Sequence, residues 1–232
     1  MIVQNPFTLI IPVHNEEEII EENILKIRDY ANRIPLEHEI LISENGSTDS
    51  TLKIAESLAN RYGDIRLFSL PYPSLSAALK TGIKSACFEN LIYFPVDLSV
   101  NLSFIEESLA LLEEYDLIQG SKRMKGALDD RPLERRILSK GYQFFVRMLF
   151  NIDLSDTTCV KAFRRSKIIG LIDEVPTSSS IFETELVVVA LKRGLKVAEI
   201  PVEVKDPRRS MRTFKMAGNM LIDLFSSRFR RS

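Results

Sequence analysis

Four places in this 232-residue chain set polar or charged side chains at the end of an apolar run. They are Ile11-Pro-Val-His-Asn-Glu-Glu17, Ser43-Glu-Asn-Gly-Ser-Thr-Asp-Ser-Thr51, Phe94-Pro-Val-Asp-Leu-Ser99 and Gly120-Ser-Lys-Arg-Met-Lys-Gly126. In the second, Gly46 permits a tight turn, and a helix starting behind it leaves backbone N–H groups free. Asn45 can both donate and accept, while Asn45 and Ser47 also suit plain turn chemistry. Lys122 and Arg123 are cations, and the planar fork of an arginine donates two bonds at once to phosphate. Downstream, Asp156, Glu183 and Glu185 are the candidate general bases. Glu183 and Glu185 sit two apart at a helix start, so they face different ways, and one of them has helix N-terminal stabilisation as its competing role. Arg131, Arg135, Arg136, Lys140 and Arg147 interleave with Tyr142, Phe144, Phe145 and Phe150, and Lys215, Phe225, Arg228, Phe229 and Arg230 repeat that mixture. Such helices lie on anionic membrane surfaces and surround lipid phosphates, or else pack in a core with charges at the rim.

The elements that must position these groups follow from hydrophobic spacing. Phe7–Val13 is continuously apolar, as in a strand buried on both faces. Ile20, Ile24, Ile27, Ala31 and Ile34 have helical spacing. A strand at Glu39–Ser43, a helix capped by Asp49, a strand at Ile65–Leu70 and a helix through Leu75, Leu79, Ile83 and Ala86 follow. Strands at Leu91–Phe94 and Tyr115–Gln119 flank a helix through Ile105, Leu109 and Leu112. Repeated strand–helix units predict an α/β fold: an open, mostly parallel sheet with helices on both faces, binding its ligand where the strand order reverses. Beyond residue 120 the pattern changes to a long helix at Arg131–Phe150 with two apolar lines, a buried turn at Leu186–Leu191, a strand at Val197–Val204 with Pro201 at an edge, and a last helix through Phe214, Ala217, Leu221, Leu224 and Phe229. With no repeat or low-complexity linker, residues 1–232 read as a single domain, with a nucleotide-binding half at 1–120 and an acceptor-binding half at 121–232.

The ordered strand ends resemble the family 2 glycosyltransferases of the GT-A fold, whose marks are a Pro-x-Tyr-Asn-Glu strand end, an Asp-Asp-Gly-Ser-x-Asp turn and an Asp-x-Asp motif. Gly120–Gly126, Ser139-Lys-Gly141, Asp156-Thr-Thr-Cys-Val-Lys-Ala-Phe-Arg164, Phe182-Glu-Thr-Glu185 and Glu199-Ile-Pro-Val202 extend the similarity toward the dolichyl-phosphate mannose synthase and polyprenyl-phosphate glycosyltransferase branch. The resemblance implies a Rossmann-like sheet with an acceptor-side extension of helix and strand. It places Pro12, His14, Glu16, Glu44 and Asn45 around the nucleotide, with Glu44-Asn45 replacing the usual Asp-Asp pair. It also brings Lys122, Arg123, Arg209 and Lys215 to the donor diphosphate. In the family the two carboxylates of Asp-x-Asp hold Mg²⁺ or Mn²⁺; here Pro95 replaces the first, so either Asp97 holds the ion alone with weakened affinity, or cationic side chains do part of its work, or the protein is not a working enzyme. The activity implied is transfer of a sugar from GDP-mannose or a UDP-sugar to a polyprenyl (dolichyl) phosphate, with inversion. Asp97, Lys122, Arg209, Glu183 and Asp156 are the catalytic candidates, and Arg131, Arg135, Ser139 and Lys140 the acceptor-phosphate candidates. Two other readings stand beside it: a glycosyltransferase with a soluble hydroxyl acceptor, and a non-catalytic GT-A binding module.

Composition narrows the field. The chain is 45% hydrophobic and 27% charged, too apolar for disorder. Its net charge of −1 hides a split: residues 1–120 hold 19 Asp/Glu and 8 Lys/Arg, residues 121–232 hold 13 and 23. The basic half therefore suits an anionic partner. No apolar run reaches the roughly 18–20 residues of a membrane span, so the expected membrane contact is peripheral, at the cytoplasmic face, through the basic aromatic helices or a membrane-anchoring protein. Two cysteines are too few for a disulfide framework or a zinc site. No nucleic-acid motif appears, and no nucleic-acid partner is expected.

Overall fold

Strand β1 (Phe7–Val13) is the centre of the molecule: Phe7, Leu9, Ile10 and Ile11 are all fully buried. Burial of such side chains contributes about 1.5–3 kcal/mol each; Thr8, the polar residue in the run, is buried with its hydroxyl donating to Glu39 Oε1 at 2.7 Å. The structure, a computed structural model, describes residues 5–176, 180–205 and 213–230. From β1 the chain alternates through α1 (Ile20–Ala31), β2 (His38–Asn45), α2 (Thr51–Arg61), β3 (Ile65–Leu70), α3 (Leu75–Ser85), β4 (Asn90–Tyr93), α4 (Phe104–Leu111) and β5 (Leu117–Ser121). The helix spacing read from sequence is realised in α1, where Ile20, Ile24, Ile27 and Ala31 are fully buried. Asp49 does not cap α2 directly. It stands one position earlier, its Oδ1 accepting from Thr51 N at 2.9 Å, and Ser50 occupies the N-cap.

The second half then supplies β6 (Leu128–Asp129), α5 (Leu133–Phe150), β7 (Lys161–Arg164), α6 (Arg165–Ile168), α7 (Phe182–Lys192), β8 (Val197–Pro201), β9 (Glu203–Val204) and α8 (Thr213–Arg230). The main sheet has the order β3-β2-β1-β4-β7-β5-β8. Its pairings are parallel except those of β7, which runs antiparallel to both β4 and β5. Strand β7 was not foreseen; its short segment has no turn signal of its own and is drawn into the sheet by its neighbours. The strand expected at Val197–Val204 is divided. Its first part pairs with β5 at the sheet edge, where Pro201 lacks an N–H to offer, and its second part pairs with β6 in a separate small sheet.

The chain winds outward from β1 through β2 to β3, then returns to β4 on the other side. The carboxyl ends of β1 and β4 therefore bound the crevice at which doubly wound sheets bind ligands. Helix α5 packs against α8, with Tyr142, Val146, Phe150, Val188 and Leu224 forming a third core cluster.

Candidate active site

The loops after β1 and β2 are tied into one unit. Asn15, at φ +54°, receives Thr48 N on its Oδ1 at 2.8 Å, and its own N donates to Ser47 Oγ at 3.0 Å. Glu16 N donates to Thr51 Oγ1 at 2.7 Å, and Ser50 N donates to Glu17 Oε2 at 2.9 Å. His14 Nδ1 lies 2.8 Å from Asn45 O, with the ring exposed beside the crevice. Gly46 is required here: at φ +66°, a Cβ would lie 2.5 Å from the carbonyl carbon of Tyr72.

Glu44 and Asn45, both expected at the nucleotide, are turned inward. Glu44 is 1% exposed; its Oε1 accepts from Ser47 N at 2.6 Å and its Oε2 from the Ser69 hydroxyl. Asn45 donates from Nδ2 to Val13 O at 2.7 Å and accepts on Oδ1 from Ser74 N at 3.1 Å. Both side chains brace the loops that form the crevice wall. Their polar atoms are engaged because a buried turn cannot leave amides and carboxylates unpaired.

Asp97 ends the strand-four segment in a tight turn. Its Oδ1 accepts from Ser99 N at 3.0 Å, and Leu98 adopts φ +52°. Asp97 faces a cleft of about 250 Å³ lined also by Tyr93, Pro95, Lys122, Arg131, Arg135 and Lys205. Lys122 and Arg131 were expected at different anions; the structure puts them on one wall. Arg135 stands with them, so two of the four acceptor-phosphate candidates face the same cleft as Asp97. The other two do not. Ser139 accepts through its carbonyl from Arg123 Nη2 at 2.7 Å, and Lys140 lines an open groove with Phe144, Arg147 and Met148.

Asp156 departs from its expected role. It is fully buried, with Lys122 Nζ at 2.7 Å and Arg123 Nη1 at 2.9 Å from its Oδ2, while its Oδ1 accepts from Thr158 N at 2.9 Å. Burial by itself would raise its carboxyl, but Lys122 and Arg123 outweigh it and hold the group far below the usual carboxylate range. Such a carboxylate is a counterion that seats two cations, not a base. Glu199 supports it from β8, its Oε1 accepting from Asp156 N and Ser155 N at 3.0 Å each.

Glu183 has the opposite environment. Burial raises its carboxyl, opposed by the charge of Lys161 and by a hydrogen bond from the Tyr93 hydroxyl. Lys161 was missed in the sequence. It is 1% exposed in β7, donates to Cys159 O at 2.7 Å, and is pushed toward neutrality by burial. A single lysine in an apolar stretch was its only signal. Arg209 lies outside the described residues, as does the side chain of Lys215.

The donor set fits a divalent cation poorly. Among the described residues that line the cleft, Asp97 is the one carboxylate, against four cations. Among the described residues, no group of three or more His, Cys, Asp or Glu is placed to hold an ion.

The sequence profile of glycosyl transferase family 2 matches residues 8–171. The chain belongs to that family. Glycosyltransferase AglD of Haloferax volcanii is 31% identical over 84% of this chain, which spans only 32% of AglD. Dolichyl-phosphate beta-glucosyltransferase ALG5C of Trichomonas vaginalis is 26% identical over 94% of this chain and 69% of its own length. Among solved structures, glucosyl-3-phosphoglycerate synthase from Mycobacterium tuberculosis, in complex with Mn²⁺, UDP and phosphoglyceric acid, superposes with a TM-score of 0.69 at 17% identity, over 97% of this chain and 78% of that one. At that identity the likeness speaks for the GT-A fold.

Proposed function

We propose that this family 2 glycosyltransferase moves a sugar from a nucleotide diphosphate sugar to a polyprenyl phosphate, inverting the anomeric carbon. The observation that carries this reading is the cationic cleft at the carboxyl end of β4, the strand next to β1 in the sheet, where Asp97 faces Lys122, Arg131 and Arg135. The dolichyl-phosphate acceptor in the name of the Trichomonas relative supports the lipid side of the proposal.

The chemistry is one displacement. A phosphate oxygen of the acceptor supplies the electron pair that forms the new bond to the anomeric carbon. The bond to the donor diphosphate breaks, and its electron pair leaves with the nucleoside diphosphate. Cations set in place before reaction stabilise that growing charge without reorganising, and alignment in the cleft adds the gain of proximity. A phosphate acceptor is anionic at neutral pH, so no proton has to move.

A hydroxyl acceptor would need a base, and Glu183, buried beside Tyr93 and Lys161 and not among the residues lining the cleft, is the candidate for that second reading. Radiolabelled GDP- and UDP-sugars, incubated with dolichyl or undecaprenyl phosphate, decide between them. Lipid-linked product with inverted configuration is expected. Glu183→Gln should cost less than about tenfold with a phosphate acceptor, against the 10²–10⁴-fold typical of a lost general base. Nucleotide binding without turnover on any acceptor would instead identify a non-catalytic binding module.

A further inference from the structure

Something must offset the charge of a donor diphosphate in this cleft, and the residues present are unequal to doing so through a metal. We propose that the chain holds the diphosphate of its nucleotide sugar on a wall of side-chain cations, without a divalent ion; this rests on the nucleotide-sugar reading above.

Three observations lead there. First, Pro95 stands in the cleft lining two residues before Asp97, in the position where a first metal carboxylate would stand, and it offers no side-chain oxygen. Asp97 therefore brings one carboxylate, one of whose oxygens already accepts from Ser99 N at 3.0 Å. Mg²⁺ requires six oxygens in near-octahedral order, and a single shared carboxylate fixes few of them.

Second, the same lining presents Lys122, Arg131, Arg135 and Lys205. Asp156, Asp129 and Glu203 offset part of that charge, but the lining still offers an anion several cationic donors and offers a metal ion one carboxylate. Arginine forks match phosphate oxygens in pairs.

Third, the wall is built in advance by carboxylates that do not line the cleft. Asp156 seats Lys122 at 2.7 Å and Asp129 seats Arg131 at 2.8 Å, whereas Lys205, 3.1 Å from Glu203, is exposed and is not fixed by that surface pair. Glu199 in turn fixes the Asp156 turn. These partners hold Lys122 and Arg131 in position before an anion arrives. Lys161 lies buried behind the wall, next to the Cys159 carbonyl. This arrangement does electrostatically what a bridging metal does elsewhere: it sets positive charge against both phosphates before the leaving group departs.

Calorimetric titration of the full chain with GDP and with UDP, in EDTA and then with Mn²⁺ or Mg²⁺, tests the proposal by binding alone. The wild-type affinity is expected to change by less than about threefold between EDTA and Mn²⁺. Arg135→Gln should lose about tenfold in both conditions, as for one charge-assisted contact of about 1.4 kcal/mol. Pro95→Asp, which restores a carboxylate pair, should gain about tenfold in affinity only when Mn²⁺ is present. Wild-type binding that EDTA abolishes and Mn²⁺ restores would overturn the metal-free wall and leave the nucleotide-sugar reading standing. No binding of either nucleotide under any condition would overturn both.

Discussion

At the scale of single residues, the site depends on where charges are buried rather than on how many there are. Asp156 illustrates this: it is fully buried, and its two cationic neighbours hold its carboxyl far below the ordinary 3.8. A depressed folded value means that the unfolded chain binds the proton more readily. The stabilisation is therefore complete above about pH 4 and is lost as pH falls toward the folded value. Asp156→Asn removes the charge but leaves Lys122 and Arg123 buried without their counterion. It should cost about 3–5 kcal/mol, measured as a lower urea midpoint at pH 7. The same variant should lose part of the wild type's acid lability below pH 4. The identities of Lys122 and Arg123 were readable in the sequence, and so was the presence of an acid at 156. That the acid would sit behind the cations was not, because it depends on the loop before β7 folding back against the end of β5.

At the scale of elements, the β1 and β2 loops behave as one part. Asn15, Glu16 and Glu17 bond across to Ser47, Thr48, Ser50 and Thr51. The turn residues of this segment were legible because Gly, Asn, Ser and Asp have local reasons to be there. The contact of Gly46 with Tyr72 was not, since it joins the second strand's turn to the segment after the third. Gly46→Ala would need both a left-handed residue with a Cβ and movement of a backbone 2.5 Å away. The left-handed conformation alone costs about 1–3 kcal/mol, so the variant should unfold at lower urea and bind nucleotide more weakly. Both are read from denaturation and calorimetry on one preparation. Helix α5 gives the complementary case. Its two apolar lines were visible in the spacing, but only packing decided that Tyr142, on one line, is buried, whereas Leu133, Ile137, Phe144 and Met148, on the other, are 57–66% exposed.

At the scale of the molecule, that exposed line lies beside the groove of Lys140, Arg147 and Arg123. An apolar stripe flanked by cations suits the boundary of an anionic bilayer, where buried area and charge attraction act together. Among the described residues no helix is long and apolar enough to cross a membrane. The expected outcome is co-sedimentation with vesicles containing anionic lipid, weakening as salt screens the attraction. Phe144→Glu with Met148→Glu should abolish it while shifting stability by no more than about 0.5 kcal/mol per site, as for exposed positions. Vesicle sedimentation and a melting curve check the two halves of that statement. The charge split has a similar resolution. Among the described residues the acidic half places only Asp97 in the cleft, whereas the basic half builds its wall, with Asp156 and Asp129 seating two of the cations.

The sequence alone determined the parallel strand–helix order, the buried central strand, the turn at Gly46 and the candidate cations, because periodicity and turn chemistry act over a few residues. Tertiary structure decided the antiparallel insertion of β7, the inward turning of Glu44 and Asn45, the conversion of Asp156 from candidate base to counterion, and the gathering of Lys122, Arg131, Arg135 and Lys205 around Asp97. The physical reason is common to all four. A side chain's role depends on what desolvates it and what charge stands opposite, and here most of those partners come from segments tens of residues away along the chain.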